Sequence, residues 1–172
     1  MRGIKRRKEL RLKGFDYSSP RAYFVTICSH SNRLVFYKKN IKNVIMKTWG
    51  KIPKHYHTVS LDKFIIMPNH IHGILWIANH NKPDRSQIPT LGNIVGSFKS
   101  RVTRDIHKRK LIKGKIWQRN YFDRIIRNDE ELNMIRQYIL NNPLQWQFDH
   151  ENPENLICRG QARLTPIRRK ND

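Results

Sequence analysis

The segment at residues 67–77, MPNHIHGILWI, combines the pattern of a β-strand with a His-x-His pair. From His70 onward it alternates like a β-strand and ends in apolar β-formers, and successive strand residues point to opposite faces of a sheet. His70 and His72 therefore share one face, and Ile71 points to the other. Two imidazoles so placed can converge on one divalent cation, because neutral imidazole is a common metal ligand. The segment predicts two ligands of a metal site that other segments must complete.

A His-x-His pair is a weak signal in a chain with eight histidines. Two histidines can equally be ordinary polar residues on a solvated strand face. A second pair, at His55 and His57, lies where a helix is expected to give way to a strand. The surrounding sequence has to decide between these interpretations.

The charge balance indicates the class of partner. The 172 residues include 35 Lys and Arg against 13 Asp and Glu, a formal net charge of +22. Such an excess repels itself unless it meets a polyanion, so nucleic acid is the leading partner, with an anionic membrane surface as the weaker alternative. The length is that of one domain with a substantial core.

Several protein classes are disfavoured. No apolar run reaches the roughly 20 residues of a membrane span, and no signal-type apolar segment follows the basic N-terminus. Cys28 and Cys158 lie far apart without a CxxC pair, which fits reduced thiols and excludes a zinc ribbon. We expect a cytoplasmic, nucleoid-associated protein.

Strands are predicted on both sides of the first helix. Residues 21–28, RAYFVTIC, are rich in aromatic and β-branched residues, and residues 34–36 are expected to return as a short strand. Residues 58–67 form the next strand. The tight link at Pro68 and Asn69 then makes this strand an antiparallel neighbour of the histidine strand.

Three helices are predicted from apolar periodicity. The first covers residues 38–55, with Pro53 marking its end. The second begins after Thr90 as cap and runs to about residue 110. The third opens at Asn128, which forms a near capping box with Glu131.

Two regions are candidates for DNA contact. The helix after Thr90 carries cationic side chains that could face phosphates or simply be solvated. The stretch 116–127 interleaves aromatic and arginine side chains that could stack bases or belong to the core. The basic segments 1–13 and 154–172 are further candidates. The individual candidates are Lys99, Arg101, Arg104, Lys108, Trp117, Arg119, Tyr121 and Arg124.

Tyr138 and Asn142 stand four residues apart near the end of the last helix, so they share a helix face if the last turn holds. Pro143 disfavours helical geometry at Asn142, which places the amide at the helix end. A half-buried packing role is the plain alternative for such a tyrosine.

Four groups of residues together resemble the REP-associated tyrosine transposases, a branch of the single-tyrosine HUH transposases related to IS200. They occur in the family's order and spacing, and the resemblance covers roughly residues 15–153. The groups are MPNHIHG at 67–73, GSFKS at 96–100, WQRNY at 117–121, and RNDEEL at 127–132 with YILNNP at 138–143.

The resemblance implies an α+β fold, a ferredoxin-like or RRM-like central antiparallel sheet with helices on one face and the HUH motif on a central strand. It divides the chain into a basic arm (1–13), a transposase domain (14–153) and a basic tail (154–172). It implies that His70 and His72 are paired metal ligands, that Tyr138 is the nucleophile, and that Asn142 helps to bind the metal.

The implied activity is nicking and rejoining of single-stranded DNA that contains palindromic, REP-like hairpins. Tyr138 would attack the scissile phosphate to form a 5′-phosphotyrosine, with a divalent metal, Mg²⁺ or Mn²⁺, as Lewis acid. We expect activity with either ion and tighter binding of Mn²⁺, because imidazole suits it better. The active unit is either a monomer or a homodimer.

Three alternatives remain at this stage. Tyr121 is a rival nucleophile, although it has no metal-binding partner four residues on. The protein could be a non-catalytic DNA- or RNA-binding module with an RRM-like sheet. It could also be a metal-dependent nuclease that uses water, in which case cleavage would survive Tyr138→Phe.

Overall fold

The computed structural model describes residues 14–78, 88–143 and 146. The predicted basic arm and basic tail lie outside the described residues. The strands are β1 (Arg21–Cys28), β2 (Val59–Ile66), β3 (His70–Ile77) and β4 (Phe122–Ile126), and the helices are α1 (Lys39–Gly50), α2 (Ile52–His55), α3 (Leu91–Lys108) and α4 (Asp129–Asn141). A short 3₁₀ turn at His30–Asn32 follows β1.

The four strands form one antiparallel sheet in the order β2-β3-β1-β4. The histidine strand β3 is therefore a central strand, paired on both sides. Main-chain hydrogen bonds from two neighbours hold it, so its side chains have little freedom to shift. The expected α+β fold with the histidine motif on a central strand is confirmed.

Both faces of the sheet are covered. Helices α1 and α3 pack on the face that carries Tyr23, Val25 and Leu75. Helix α4 packs on the opposite face, against Phe24 and Ile74. The helix pair on one face agrees with the expectation, whereas α4 adds a layer on the other, because β1 and β3 are apolar on both sides and each apolar face needs cover.

The central strand approaches α1 very closely at Gly73. A Cβ atom built on Gly73 would lie 2.4 Å and 2.6 Å from ring atoms of Trp49 and 3.2 Å from Phe64. The Trp49 and Phe64 rings are stacked with centroids 4.4 Å apart. Only a glycine leaves room for this aromatic stack on β3.

Two predictions about local structure were wrong. Residues 34–36 form no strand: the Phe36 N–H donates to the Pro68 carbonyl at 2.9 Å, but no ladder follows, and its ring packs on Trp117. The first helix does not end at Pro53. It breaks at Lys51, and Pro53 lies in the first turn of α2, where its missing N–H costs little.

The pairing of β2 with β3 contains one irregularity. Leu61 pairs with Leu75 and Phe64 pairs with Gly73, so two residues of β2, Asp62 and Lys63, stand opposite a single residue of β3. This is a β-bulge, which re-aims side chains locally.

The described residues include no helix that is both long and apolar enough to cross a membrane.

Candidate active site

His70 and His72 lie buried on the sheet face that α4 covers, with 0% and 3% of their surfaces exposed. Their Nε2 atoms are 2.9 Å apart. Two ligands bound to one ion at about 2.1 Å and at right angles would be roughly 3 Å apart. The two imidazoles therefore already hold the separation that a shared cation requires.

The second nitrogen of each ring has a partner that fixes its orientation. His70 Nδ1 lies 2.8 Å from Oδ1 of Asn69, and His72 Nδ1 lies 2.9 Å from the Thr26 hydroxyl. An amide oxygen only accepts, so the Nδ1–H of His70 donates to it, and in the neutral ring Nε2 is then the nitrogen with the lone pair. Such outer partners are what hold metal-binding imidazoles in the required tautomer.

Tyr138 points from α4 toward the histidines. Its hydroxyl lies 3.5 Å from His72 Nε2, and the two ring centroids are 5.3 Å apart. The ring also meets Phe24 edge-on, at 6.1 Å. Tyr138 is half-buried, so it combines apolar packing with a hydroxyl at the histidine site.

Asn142 is placed one helical turn beyond Tyr138. Its φ and ψ of −55° and −41° are helical, and its N–H bonds the Tyr138 carbonyl, so the last turn holds despite Pro143. The side chain is 3% exposed, and among the described residues Oδ1 has no hydrogen-bond partner. A buried acceptor without a partner costs free energy that a bound cation would offset.

The structure thus brings two imidazoles together, and Asn142 lies one helical turn after the tyrosine that contacts one of them. No group of three or more His, Cys, Asp or Glu residues suited to a metal exists in the described part of the chain. Two converging imidazoles fall short of the four ligands of a closed structural zinc site.

Sequence analysis missed three residues of the site. Asn69 adjoins the motif, and Thr26 pairs with His72 across the strands, so the β1–β3 register is the signal that would have found it. Trp146, whose ring centroid is 5.9 Å from that of His70, carried no such signal.

Of the two aromatic candidates for base stacking, Trp117 is a core residue and Tyr121 is partly buried against the core, which is the alternative that the sequence left open. Trp117 is 8% exposed, packs on Phe36 and Phe98, and donates its indole N–H to the Lys99 carbonyl at 3.2 Å. Tyr121 packs against the same core, under α1 and α3. That core lies on the opposite face of the sheet from the histidines, whereas Tyr138 contacts His72.

The ammonium group of Lys99 is bound by backbone carbonyls. Its ammonium donates to the carbonyls of Gln118, Arg119 and Asn120 at 2.6, 3.2 and 3.3 Å. Burial lowers the pKa of Lys99 to about 8, opposed by the nearby Cys28. Lys99 ties α3 to the loop before β4.

The remaining cationic candidates lie on different surfaces. Arg101, Arg104 and Lys108 are exposed on α3 and line a groove of about 340 Å³ with Lys51 and His55. This basic groove lies in the α1–α3 layer, across the sheet from the histidines. Its one carboxylate, on Asp105, is paired with Arg109, and the exposed Arg124 on β4 is paired with Glu131.

These features define an α+β domain with a His-x-His pair on a central strand and a tyrosine near it on a helix. The chain belongs to the IS200-like transposase family, whose model matches residues 18–142. A Haemophilus influenzae relative, named only as an uncharacterized protein, is 34% identical over 169 residues, covering 86% of this chain and 93% of its own.

A solved transposase structure shares the fold. A REP-associated tyrosine transposase bound to a REP hairpin superimposes with a TM-score of 0.57 at 15% identity, over 83% of this chain and 76% of that one. A putative transposase from Deinococcus radiodurans gives a TM-score of 0.46 at 16% identity, over 76% of this chain and 97% of that one.

Proposed function

We propose that this protein nicks and rejoins single-stranded DNA through a covalent Tyr138 intermediate. The observation that carries the proposal is the Tyr138 hydroxyl, 3.5 Å from a buried histidine whose Nε2 lies 2.9 Å from a second Nε2. Family membership supports this interpretation, because transposases of this class process DNA strands.

Tyr138 is the nucleophile in this proposal. Its oxygen attacks the scissile phosphorus in line, a P–O bond to tyrosine forms, and the P–O3′ bond breaks to free a protonated 3′-hydroxyl. Attack by a 3′-hydroxyl on the phosphotyrosine reverses the exchange, so joining needs no ATP. One tyrosine from the same chain as the histidines cuts one strand, which makes single-stranded DNA the substrate.

His70, His72 and Asn142 would hold the divalent ion, Mn²⁺ or Mg²⁺. When bound, the ion supplies Lewis-acid polarisation of the scissile phosphate. The three side chains fit it because two nitrogens converge and a buried amide oxygen awaits a partner. Asn69 and Thr26 hold the rings in place.

The DNA is proposed to contain a palindromic, REP-like hairpin, in line with the hairpin held by the solved transposase of this fold. The net charge of +22 supports strong binding to DNA phosphates. We place the protein in the cytoplasm, at the nucleoid. The basic groove on α3 and the exposed Arg119 and Arg124 are the contacts that we propose for its backbone.

A non-catalytic RRM-like module is a weaker candidate. Such modules bind bases on an open sheet face with exposed aromatics. Here α4 covers that face, and Phe24 and Ile74 on it are 1% and 0% exposed.

The test is an adduct assay with end-labelled single-stranded hairpin oligonucleotides from the flanks of the gene, with Mn²⁺ or Mg²⁺. Wild-type protein should retain the label of the strand 3′ of the break on a denaturing gel. Tyr138→Phe and His70→Ala should not, and Tyr121→Phe is the matched control that should keep the adduct. Cleavage that survives Tyr138→Phe would instead indicate water as nucleophile.

A further inference from the structure

Helix α4, which carries Tyr138, rests on a small apolar contact. Its buried aliphatic side chains, Leu132, Ile135 and Ile139, meet Phe24 and Ile74 of the two central strands. Hydrophobic contact is non-directional, so such a patch by itself permits the helix to rotate or slide.

Two ion pairs fix the orientation of α4 on the sheet, one at each edge. At the β4 edge, Arg124 bonds Glu131 at 2.5 Å, and Glu131 also accepts from the Arg127 N–H at 2.9 Å. At the β2 edge, Arg136 donates to Asp62. Because β4 and β2 are the outermost strands, the helix is anchored across the whole width of the sheet.

The Asp62–Arg136 pair has the geometry of a specific clamp. Nε of Arg136 lies 3.2 and 3.0 Å from the two carboxylate oxygens, and Nη2 lies 2.5 Å from one of them. Planar guanidinium–carboxylate contacts of this kind add geometric specificity as well as energy. Arg136 Nη1 also donates to Asn133 on the same helix, at 3.2 Å.

Asp62 is itself held firmly by the β-bulge. The Lys63 N–H donates to it at 2.8 Å, and the Trp76 indole lies at 3.5 Å. Burial disfavours its ionised form, yet the hydrogen bonds from Arg136, Trp76 and Lys63 outweigh burial and lower the pKa of Asp62. The carboxylate is 13% exposed, so the pair is partly shielded from water.

Arg136 and Tyr138 flank opposite sides of the buried stripe of α4, because two residues along a helix correspond to about 200° of rotation. Loss of the Arg136 anchor would free the helix to roll, and a roll moves the Tyr138 hydroxyl directly. We infer that Asp62 and Arg136 are positioning residues that hold Tyr138 over the histidine pair. This inference rests on the proposed function for its catalytic consequence.

The experiment compares Arg136→Gln and Asp62→Asn with wild type in the full-length protein. Arg109→Gln is the matched control, because it removes the same charge and breaks an ion pair with Asp105 on α3, away from the site. Circular dichroism first confirms that each variant is folded at the assay temperature.

The first readout is the contact itself, measured by nuclear Overhauser effects between the Tyr138 and His72 rings. Wild type and Arg109→Gln should show it, and both clamp variants should lose or weaken it. The second readout is adduct formation. The rate at saturating hairpin DNA should fall about a hundredfold in the clamp variants, whereas the half-saturating DNA concentration should stay nearly unchanged.

The outcomes distinguish the positioning role of Asp62 and Arg136 from the proposed function of the protein. If folded clamp variants keep both the ring contact and the wild-type adduct rate, the positioning inference is overturned. If wild type shows the contact, the clamp variants lose it and no protein forms an adduct, the positioning role stands and the proposed function fails.

Discussion

At the scale of single residues, the amide oxygen of Asn142 is the most informative atom of the site. It is buried, and within the described residues nothing donates to it. An unpaired buried acceptor costs about 1–3 kcal/mol of stability. Functional sites commonly carry such a cost, since a group prepared for a ligand cannot also be satisfied by the protein.

Replacement of Asn142 by leucine, which has nearly the same shape, should therefore separate stability from metal binding. In metal-free buffer the free energy of unfolding should rise by roughly 1 kcal/mol. Mn²⁺ binding, followed by the paramagnetic resonance signal of free Mn²⁺, should weaken. Urea unfolding with and without Mn²⁺ measures both effects, and a stability loss in metal-free buffer would contradict the assignment of an unpaired oxygen.

At the scale of elements, the packing of α1 on β3 depends on the absence of a Cβ atom at Gly73. Gly73→Ala should destabilise the fold by about 1–3 kcal/mol, because the new Cβ collides with the Trp49 ring. Gly96→Ala in α3 is the control. A Cβ there meets nothing within 4 Å, and alanine favours the helix, so stability should rise by about 1 kcal/mol. Thermal unfolding of both variants checks the contrast.

Lys99, which links α3 to the loop before β4, should make the free energy of unfolding depend on pH. The pKa of Lys99 is about 8 in the folded chain against an ordinary 10.5, so below pH 8 both states are charged and the cost of burial is fully present. Between pH 8 and pH 10.5, Lys99 has lost its proton in the folded state but keeps it in the unfolded state. Stability should then rise with pH relative to Lys99→Met.

Urea unfolding of wild type and Lys99→Met across pH 7 to 10.5 gives this difference directly. A difference that stays constant, or falls, as pH rises would mean that the three carbonyl acceptors keep Lys99 charged in the folded chain.

At the scale of the whole molecule, the sheet separates the histidine site from the basic groove on α3. If DNA phosphates occupy that groove, Arg104→Gln with Lys108→Gln should weaken hairpin binding. For two contacts to a single strand, the slope of log affinity against log salt should become shallower by about 1.4 in total. Fluorescence anisotropy over a salt series measures it, and a slope equal to that of wild type would exclude the groove as a DNA contact.

Local sequence patterns determined much of this protein. The strands at residues 21–28 and 70–77, the Thr90 and Asn128 caps and the helical step from Tyr138 to Asn142 appear as predicted. These features depend on neighbours within one turn or one strand, so local physical chemistry specifies them. The single-tyrosine motif set likewise identified the family, because it is a pattern of residues along the chain.

Long-range packing decided the rest. In the sequence, Trp117, Tyr121 and Lys99 look like DNA contacts. In the structure, Trp117 is buried in the core, Tyr121 packs partly buried against it, and Lys99 bonds three carbonyls. Thr26 behind His72, and Asp62 under Arg136, join residues 46 and 74 positions apart. Only the strand register and the seating of α4 bring these pairs together, because burial and hydrogen bonding depend on which surfaces meet in three dimensions.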